Sequence, residues 1–303
     1  MLFRSAGDGT LEVRVHVSLA RYTTFGAGGP ARWYAEPATL SQLEEALHWA
    51  AERSVVVVPL GLGSNLLAHD DGVDALVLRL GGALAAVIVE GSLLVAGGGA
   101  ANAVCLHHAR RAGLGGFEFA CAIPGTAGGG VRMNAGAYGS DWASVMERAL
   151  VVDAGGAAWR TPAGLDLTYR HSGLAPGQVV AVVEYRLTQR PPAEIRAHVA
   201  ELNARRKASQ PTNRRTFGSV FKNPPGELGA GRLIELCGLQ GHRSGGAVIS
   251  PRHANFIENE GGALAADAVA LMVEARRRAR DQFGVMLEHE VVLLGGLELP
   301  AVE

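Results

Sequence analysis

"IPGTAGGGVRMNAGAYG", Ile123–Gly139, is the densest glycine stretch in the chain. It reads as a long loop interrupted by Thr126, Asn134 and Tyr138. Ordering such a loop costs conformational entropy, which a ligand packed on its amides offsets. Glycine lets a backbone approach an anion closely, so a pyrophosphate suits it; the plainer reading is a connector. An earlier run, "PLGLGSNLL" (Pro59–Leu67), tips the balance. There the buried-type strand "SVVVVPL" ends at Gly-Leu-Gly-Ser-Asn, and Ser64 and Asn65 add side-chain donors. By itself this run is a tight turn. It is no dinucleotide fingerprint, since GxGxxG needs glycine at Leu66 and no helix clearly follows. Two such loops in one half of the chain favour a phosphate-bearing ligand.

Around these loops strands and helices are mixed without strict alternation, which fits an α+β arrangement of small sheets better than one doubly wound sheet. "TLEVRVHVSL" alternates as a strand, and "TLSQLEEALHWAAER" reads as a helix capped by Thr39 or Ser41. "ALVLRL", "AAVIVEG" and "SLLVAGG" are short strands, and "ANAVCLHHARRAG" is a helix stopped by Gly113. Strands resume at "RALVVDA", "AAWRT" and "VVAVVEYRLTQR". The pair Pro191-Pro192 then opens the helix "AEIRAHVAELNARRKA", with Ile195, Val199 and Leu202 on one face. The main boundary is placed there. Helices at "GAGRLIELCG" and "AADAVALMVEARRRARDQFG" follow, and "VMLEHEVVLLGG" is the final strand.

The chain has 303 residues, 48% hydrophobic and 19% charged, enough for two or three compact units with buried cores. Lys+Arg number 28 against 29 Asp+Glu, a net charge of -1, which argues against nucleic acid or an anionic membrane as partner. Cys105, Cys121 and Cys237 are widely spaced, without CxxC, and read as buried thiols of a reducing compartment. The start lacks a continuous apolar core for a signal peptide, and no apolar run approaches a membrane span. A soluble, cytoplasmic protein is expected. The histidines form no HExxH or His-carboxylate cluster, so no metal is expected.

Three further stretches carry chemistry-bearing side chains. "TFGSVFKNPPG" (Thr216–Gly226) holds Ser219, Lys222 and Asn223. On a strand, Ser219 and Phe221 share one face and Val220 and Lys222 the other. Lys222 is one of only two lysines, with Lys207, and suits a phosphate or carboxylate. The alternative is a half-exposed edge strand, demoted by the prolines. "LTYRHSGL" pairs Tyr169 with Arg170, suited to a carboxylate or to a surface ion pair. "LEHEVVLLG" sets Glu288 and Glu290 on one face of the last strand, for acid/base work if buried and as a solvated face if not.

Taken in order, "YTTFGAGGPARWYAEP", "GLGSNLL", "IPGTAGGGVRMNAGAYG", "YRHS", "GSVFKNP", "GHRSGGAVISPRHANFIEN" and "EVVLLG" resemble the UDP-N-acetylenolpyruvoylglucosamine reductase family over nearly the whole chain. The resemblance implies a vanillyl-alcohol-oxidase-type, two-part FAD-binding fold with a smaller α+β substrate-binding domain. The expected divisions are 1–84 and 85–192 for the FAD-binding parts and 193–303 for the substrate domain, with the last strand free to pack back on the first part. It implies NADPH-dependent reduction of an enolpyruvyl ether on a UDP sugar, in peptidoglycan precursor synthesis.

Roles follow for matched positions. Gly61, Gly63, Ser64, Asn65 and Leu66, with Pro124, Gly125, Thr126, Gly128, Gly129, Asn134, Ala135, Gly136 and Tyr138, match the FAD-binding loops. Ser219 matches the proton donor, and Arg170 and Glu290 the pair that stabilises an enolate-like intermediate. Tyr169, Arg206, Lys222, Asn223, His253 and Asn255 are the substrate-side candidates. An ionised Glu290 would repel that intermediate, so a protonated or bridged Glu290 is expected. Leu62, Gly130 and Arg132 depart from the family pattern, and the short Ser219–Glu290 interval resembles the subclass without an extra substrate-covering loop. One rival is another FAD enzyme of this fold acting on an alcohol or hydroxyacid, which need not carry "GSVFKNP". The other is a non-catalytic nucleotide-sugar binder, which has no use for the FAD loops.

Overall fold

The computed structural model describes residues 2–4 and 10–301. Close contacts divide the chain into two compact units. The first comprises Met1–His16, Arg32–Leu62 and Asp74–Arg205; the second comprises Val17–Ala31, Gly63–Val73 and Arg206–Glu303. The divisions proposed at 84/85 and 192/193 both fall inside the first unit.

The first unit is built on two five-stranded sheets. One runs Leu2–Arg4, Thr10–Ser18, Pro30–Ala35, Val73–Leu78, Val57–Pro59, the last two strands being parallel. The helix Leu40–Glu52 covers it. Thr39 is its cap, with Oγ1 accepting from the Gln42 N–H at 3.2 Å. Leu43, Ala46, Leu47 and Ala50 of that helix share a core with Leu76 and Leu78.

The other sheet is antiparallel throughout, in the order Gly156–Arg160, Met146–Asp153, Val179–Arg186, Leu93–Gly97, Val87–Glu90. Its central strand Val179–Arg186 serves two cores. Val179 and Ala181 join the first core. Val180, Val183 and Tyr185 join a second, with Cys105, Phe117, Phe119 and Trp142. Ala127 and Val131 of the glycine stretch sit in that second core too. So do Ile195 and Val199 of the helix Pro192–Ser209, which is why that helix belongs to the first unit as far as Arg205.

In the second unit a four-stranded sheet runs Arg215–Thr216, Ile257–Asn259, Ala247–Ile249, Arg243–Ser244. The helices Ala230–Leu236 and Ala265–Phe283 share one core with it, through Leu233, Ile234, Leu271, Met272 and Ile257. The Asp70 carboxylate accepts from the Ala265 and Ala266 N–H groups at 2.8 and 3.0 Å, satisfying two donors of the long helix's first turn. Val292–Leu294 pairs in parallel with Leu66–Ala68.

Three expectations about elements change. The second glycine stretch is not loop throughout, because Ala127–Arg132 forms a short helix capped by Thr126. The "TFGSVFKNPPG" strand is confined to Thr216 and the residue before it. Gly218 at φ +82° breaks the extended run, so Val220 and Phe221 are both buried instead of alternating. The final strand is likewise short, Val292–Leu294, with one isolated bridge between His289 and Phe221 ahead of it.

Candidate active site

In the first unit the two glycine runs touch. A Cβ on Gly61 would lie 2.8 Å from Thr126 Oγ1, so only glycine fits there. Thr126 Oγ1 accepts from the Gly129 N–H at 3.3 Å, which caps the short helix. Gly130 is required for a different reason: a Cβ there would meet the Trp142 ring at 2.2 Å. Trp142 is itself fixed, its Nε1 donating to the Tyr185 hydroxyl at 2.8 Å. Burial pushes the Tyr185 phenol well up and the nearby Cys105 thiol up to about 12, so both stay neutral. The stretch ends in the hairpin Gly136–Ala137/Ser140–Asp141, whose turn residues Tyr138 and Gly139 are both left-handed (φ 55° and 81°). The Tyr138 hydroxyl donates to the Leu202 carbonyl at 3.1 Å.

Arg170 sits on a tight turn in which Thr168 and His171 bond each other's backbones. It is left-handed itself, at φ 55°. Its Nη2 donates to the Gly136 carbonyl at 2.7 Å, and its guanidinium lies 5.0 Å from the Tyr169 ring centroid. Arg170 and the glycine stretch, far apart in sequence, are therefore neighbours. Arg132 supports the same region: its Nη2 donates to the Gln178 carbonyl at 2.6 Å, and burial lowers its pKa.

In the second unit the Ser219 segment is held from both sides. The Val220 N–H donates to the Asn255 carbonyl at 2.9 Å. The Asn255 side chain bonds the Phe221 peptide twice, accepting its N–H at 2.9 Å and donating to its carbonyl at 2.8 Å. Opposite, the Glu290 N–H donates to the Val220 carbonyl at 2.8 Å and the Lys222 N–H to the Glu288 carbonyl at 2.9 Å. Asn65 Nδ2 donates to the Glu290 carbonyl at 3.2 Å. A Cβ on Gly218 would lie 3.3 Å from the Ser64 carbonyl. The Ser219 segment is thus tied to Glu290 by a main-chain bond and lies against Ser64 at Gly218, with Asn65 bonded to Glu290 through its side-chain amide. Among the described residues no hydrogen bond engages the Ser219 hydroxyl.

The remaining candidates divide by what they touch. Lys222 Nζ is 2.6 Å from Glu288 Oε1. Glu288 is exposed, so it and Glu290 have different surroundings. Asn223 Oδ1 accepts from the Ala230 N–H at 3.0 Å, leaving its amide donors to others. His253 Nδ1 accepts from the Asn255 N–H at 3.3 Å, and burial lowers its pKa. Arg206 Nε reaches Gln210 Oε1 at 3.4 Å. Tyr169 is exposed. Thr168, Ser172 and Glu288 were not singled out by sequence as partners of these groups. No local pattern marks them, since each acts across a long sequence interval.

The glycine runs suit the diphosphate of FAD. Among the described residues the N–H groups of Gly61, Leu62, Gly125 and Thr126 donate to no protein acceptor, and Gly61 and Thr126 are adjacent in space. Backbone donors of this kind, on segments where Cβ atoms would intrude, are what an anion needs.

Together with the two sheets these features place the chain in the class of FAD-binding proteins with an α+β fold. Residues 31–162 match the FAD binding domain family, and residues 210–294 match the C-terminal domain of UDP-N-acetylenolpyruvoylglucosamine reductase. The chain is 44% identical to UDP-N-acetylenolpyruvoylglucosamine reductase 2 of Symbiobacterium thermophilum, over 91% of this chain and 90% of that one. With the enzyme of Rubrobacter xylanophilus it shares 42% over 95% and 99%. The crystal structure of the Thermus caldophilus reductase superposes with a TM-score of 0.81 at 38% identity, covering 94% of this chain and 98% of that one. The chain belongs to the UDP-N-acetylenolpyruvoylglucosamine reductase family.

Proposed function

We propose that this protein reduces the enolpyruvyl ether of UDP-N-acetylglucosamine enolpyruvate to the lactyl ether of UDP-N-acetylmuramate, with FAD as cofactor and NADPH as reductant. The reaction is a cytoplasmic step of peptidoglycan precursor synthesis. FAD, when bound, supplies a carrier that takes a hydride from the nicotinamide and gives it to the terminal enolpyruvyl carbon.

The chain's own groups do the rest. Gly61 to Leu66 and Pro124 to Tyr138 hold the cofactor through their backbones, the diphosphate on N–H donors. Arg170 neutralises the substrate carboxylate as negative charge develops on it. Glu290, protonated or bridged, shares that task. The Ser219 hydroxyl then donates a proton to the carbon next to the carboxylate. A serine without a neighbouring base is a poor nucleophile, but it can protonate a strongly basic carbanion. Lys222, Asn223, Tyr169 and Arg206 receive the UDP sugar. His253 and Asn255 support the Ser219 segment from within the protein.

The observation that carries this reading is the Ser219 segment tied to the Glu290 main chain and lying against Ser64 at Gly218, with no hydrogen bond to the Ser219 hydroxyl among the described residues. The test is the pair of half-reactions in Ser219→Ala: reduction by NADPH persists and reoxidation by the UDP sugar is lost. An alcohol or hydroxyacid that drives turnover where the UDP sugar does not would favour an oxidase of the same fold.

A further inference from the structure

Six non-glycine residues among those described have a left-handed backbone, and Asn134, Tyr138, Asp166 and Arg170 are four of them. Such conformations persist only where the surroundings over-determine them. Two backbone bonds between Thr168 and His171 close the Arg170 turn but do not fix where it lies. Three side-chain bonds tie it to the glycine stretch. Ser172 Oγ donates to the Arg132 carbonyl at 2.7 Å, Asn134 Nδ2 to the Thr168 carbonyl at 2.8 Å, and Arg170 Nη2 to the Gly136 carbonyl at 2.7 Å.

Of these three, the Asn134 bond comes from a side chain that is anchored elsewhere. Asn134 is buried at 2% exposure. Its Oδ1 accepts from the Ala143 N–H at 2.9 Å, and its Nδ2 also donates to Asp141 Oδ2 at 3.2 Å. Asp141 in turn caps the next helical turn, its Oδ1 accepting from the Ser144 N–H at 3.0 Å. Both amide donors and one acceptor site of Asn134 are therefore spent inside the protein. The side chain cannot flip without losing all three bonds. Little of it is left for a cofactor, although it lies in the middle of the cofactor-binding stretch.

We propose that Asn134 is the positioning residue for Arg170: it sets the Thr168–His171 turn against the glycine stretch and so aims the guanidinium. The inference rests on the assignment of Arg170 to the substrate carboxylate. It assigns the Asn134 amide to aiming that group, leaving cofactor binding to the backbone around it.

Asn134→Gly is the suitable variant, because glycine keeps the left-handed backbone (φ 36° here) and removes only the amide. FAD affinity, read by quenching of flavin fluorescence, and the rate of reduction by NADPH should stay within about threefold of wild type, while reoxidation by the UDP sugar slows about tenfold or more. In Arg170→Ala/Asn134→Gly, reoxidation should be no slower than in Arg170→Ala alone, since the amide acts through the guanidinium.

Parallel loss of FAD affinity and of both half-reactions would overturn the proposal, as would additive effects in the double variant. If Arg170→Ala slows reoxidation but Asn134→Gly does not, the positioning role fails alone. If Arg170→Ala leaves reoxidation unchanged, the role assigned to Arg170 fails first. Should Asn134→Gly not fold, Ser172→Ala removes another bond on the same turn. It must show the same split between half-reactions in smaller measure, and equal slowing of both counts against the proposal.

Discussion

Ser219 itself does little to decide where it stands; Gly218 and Asn255 do that. Gly218 turns the chain at φ +82°, and the Asn255 amide closes on both sides of the Phe221 peptide. The types of the serine, lysine and asparagine of "GSVFKNP" made them candidates beside a plain edge strand, and only the resemblance gave Ser219 its expected role. The work of Asn255 was not legible, because an asparagine bonded to a peptide 34 residues away leaves no local trace. The same holds for Glu288, which occupies Lys222 at 2.6 Å and is 70% exposed on its side chain. On the role proposed for Lys222, an anionic substrate group displaces that carboxylate. Glu288→Gln should therefore lower KM for the UDP sugar, by roughly 1.5- to 5-fold, since an exposed ion pair is worth about 0.2–1 kcal/mol. A raised KM in steady-state assays would show that Glu288 aids binding instead.

At the scale of elements, the sequence was readable where the local signals were complete. Thr39 and Gln42 announce the helix Leu40–Glu52, and Gly113, at φ 68°, ends the later helix Asn102–Arg111. It was misleading where tertiary packing overrides propensity. "AGGGVR" is poor helix sequence, yet it forms a helical turn because Ala127 and Val131 enter the core and Gly130 lies on the Trp142 ring. Gly130→Ala gains up to about 1 kcal/mol in propensity but must move a buried tryptophan. Overpacking costs roughly 1–3 kcal/mol, so a net loss of stability and weaker FAD retention are expected in urea titrations. A variant as stable as the parent would mean that Trp142 yields freely. The final strand was overread for a related reason: "LEHEV" alternates in sequence, but its bonds to Val220 and Lys222 make an isolated bridge, and the ladder begins only at Val292, paired with Leu66.

At the scale of the molecule, the α+β class and the FAD-binding character were legible because the glycine runs, their order and the later motifs recur as a set over nearly the whole chain. The division into units was less so, since each unit is assembled from three separated segments and only long-range contacts define it. Among the described residues no helix is long and apolar enough to cross a membrane. Stability should fall at high pH partly through one buried group. Cys105 has its thiol raised by burial from 9.0 to about 12, so the folded state keeps a proton that the unfolded state releases. Its contribution is complete below pH 9 and is lost as pH rises towards about 12, at about 1.4 kcal/mol per pH unit. Cys105→Ala should flatten the alkaline limb of the stability curve by that slope, and an unchanged limb would assign the effect to other groups. The central claim is that Ser219 protonates an intermediate generated by a flavin reductase. Anaerobic rapid mixing of the FAD-loaded wild type and Ser219→Ala, first with NADPH and then with UDP-N-acetylglucosamine enolpyruvate, tests it directly. The account predicts that NADPH bleaches the flavin equally in both, and that the UDP sugar restores its colour in the wild type about 10²- to 10⁴-fold faster than in the variant. Equal restoration in both proteins, or slowing of both half-reactions alike, would contradict it.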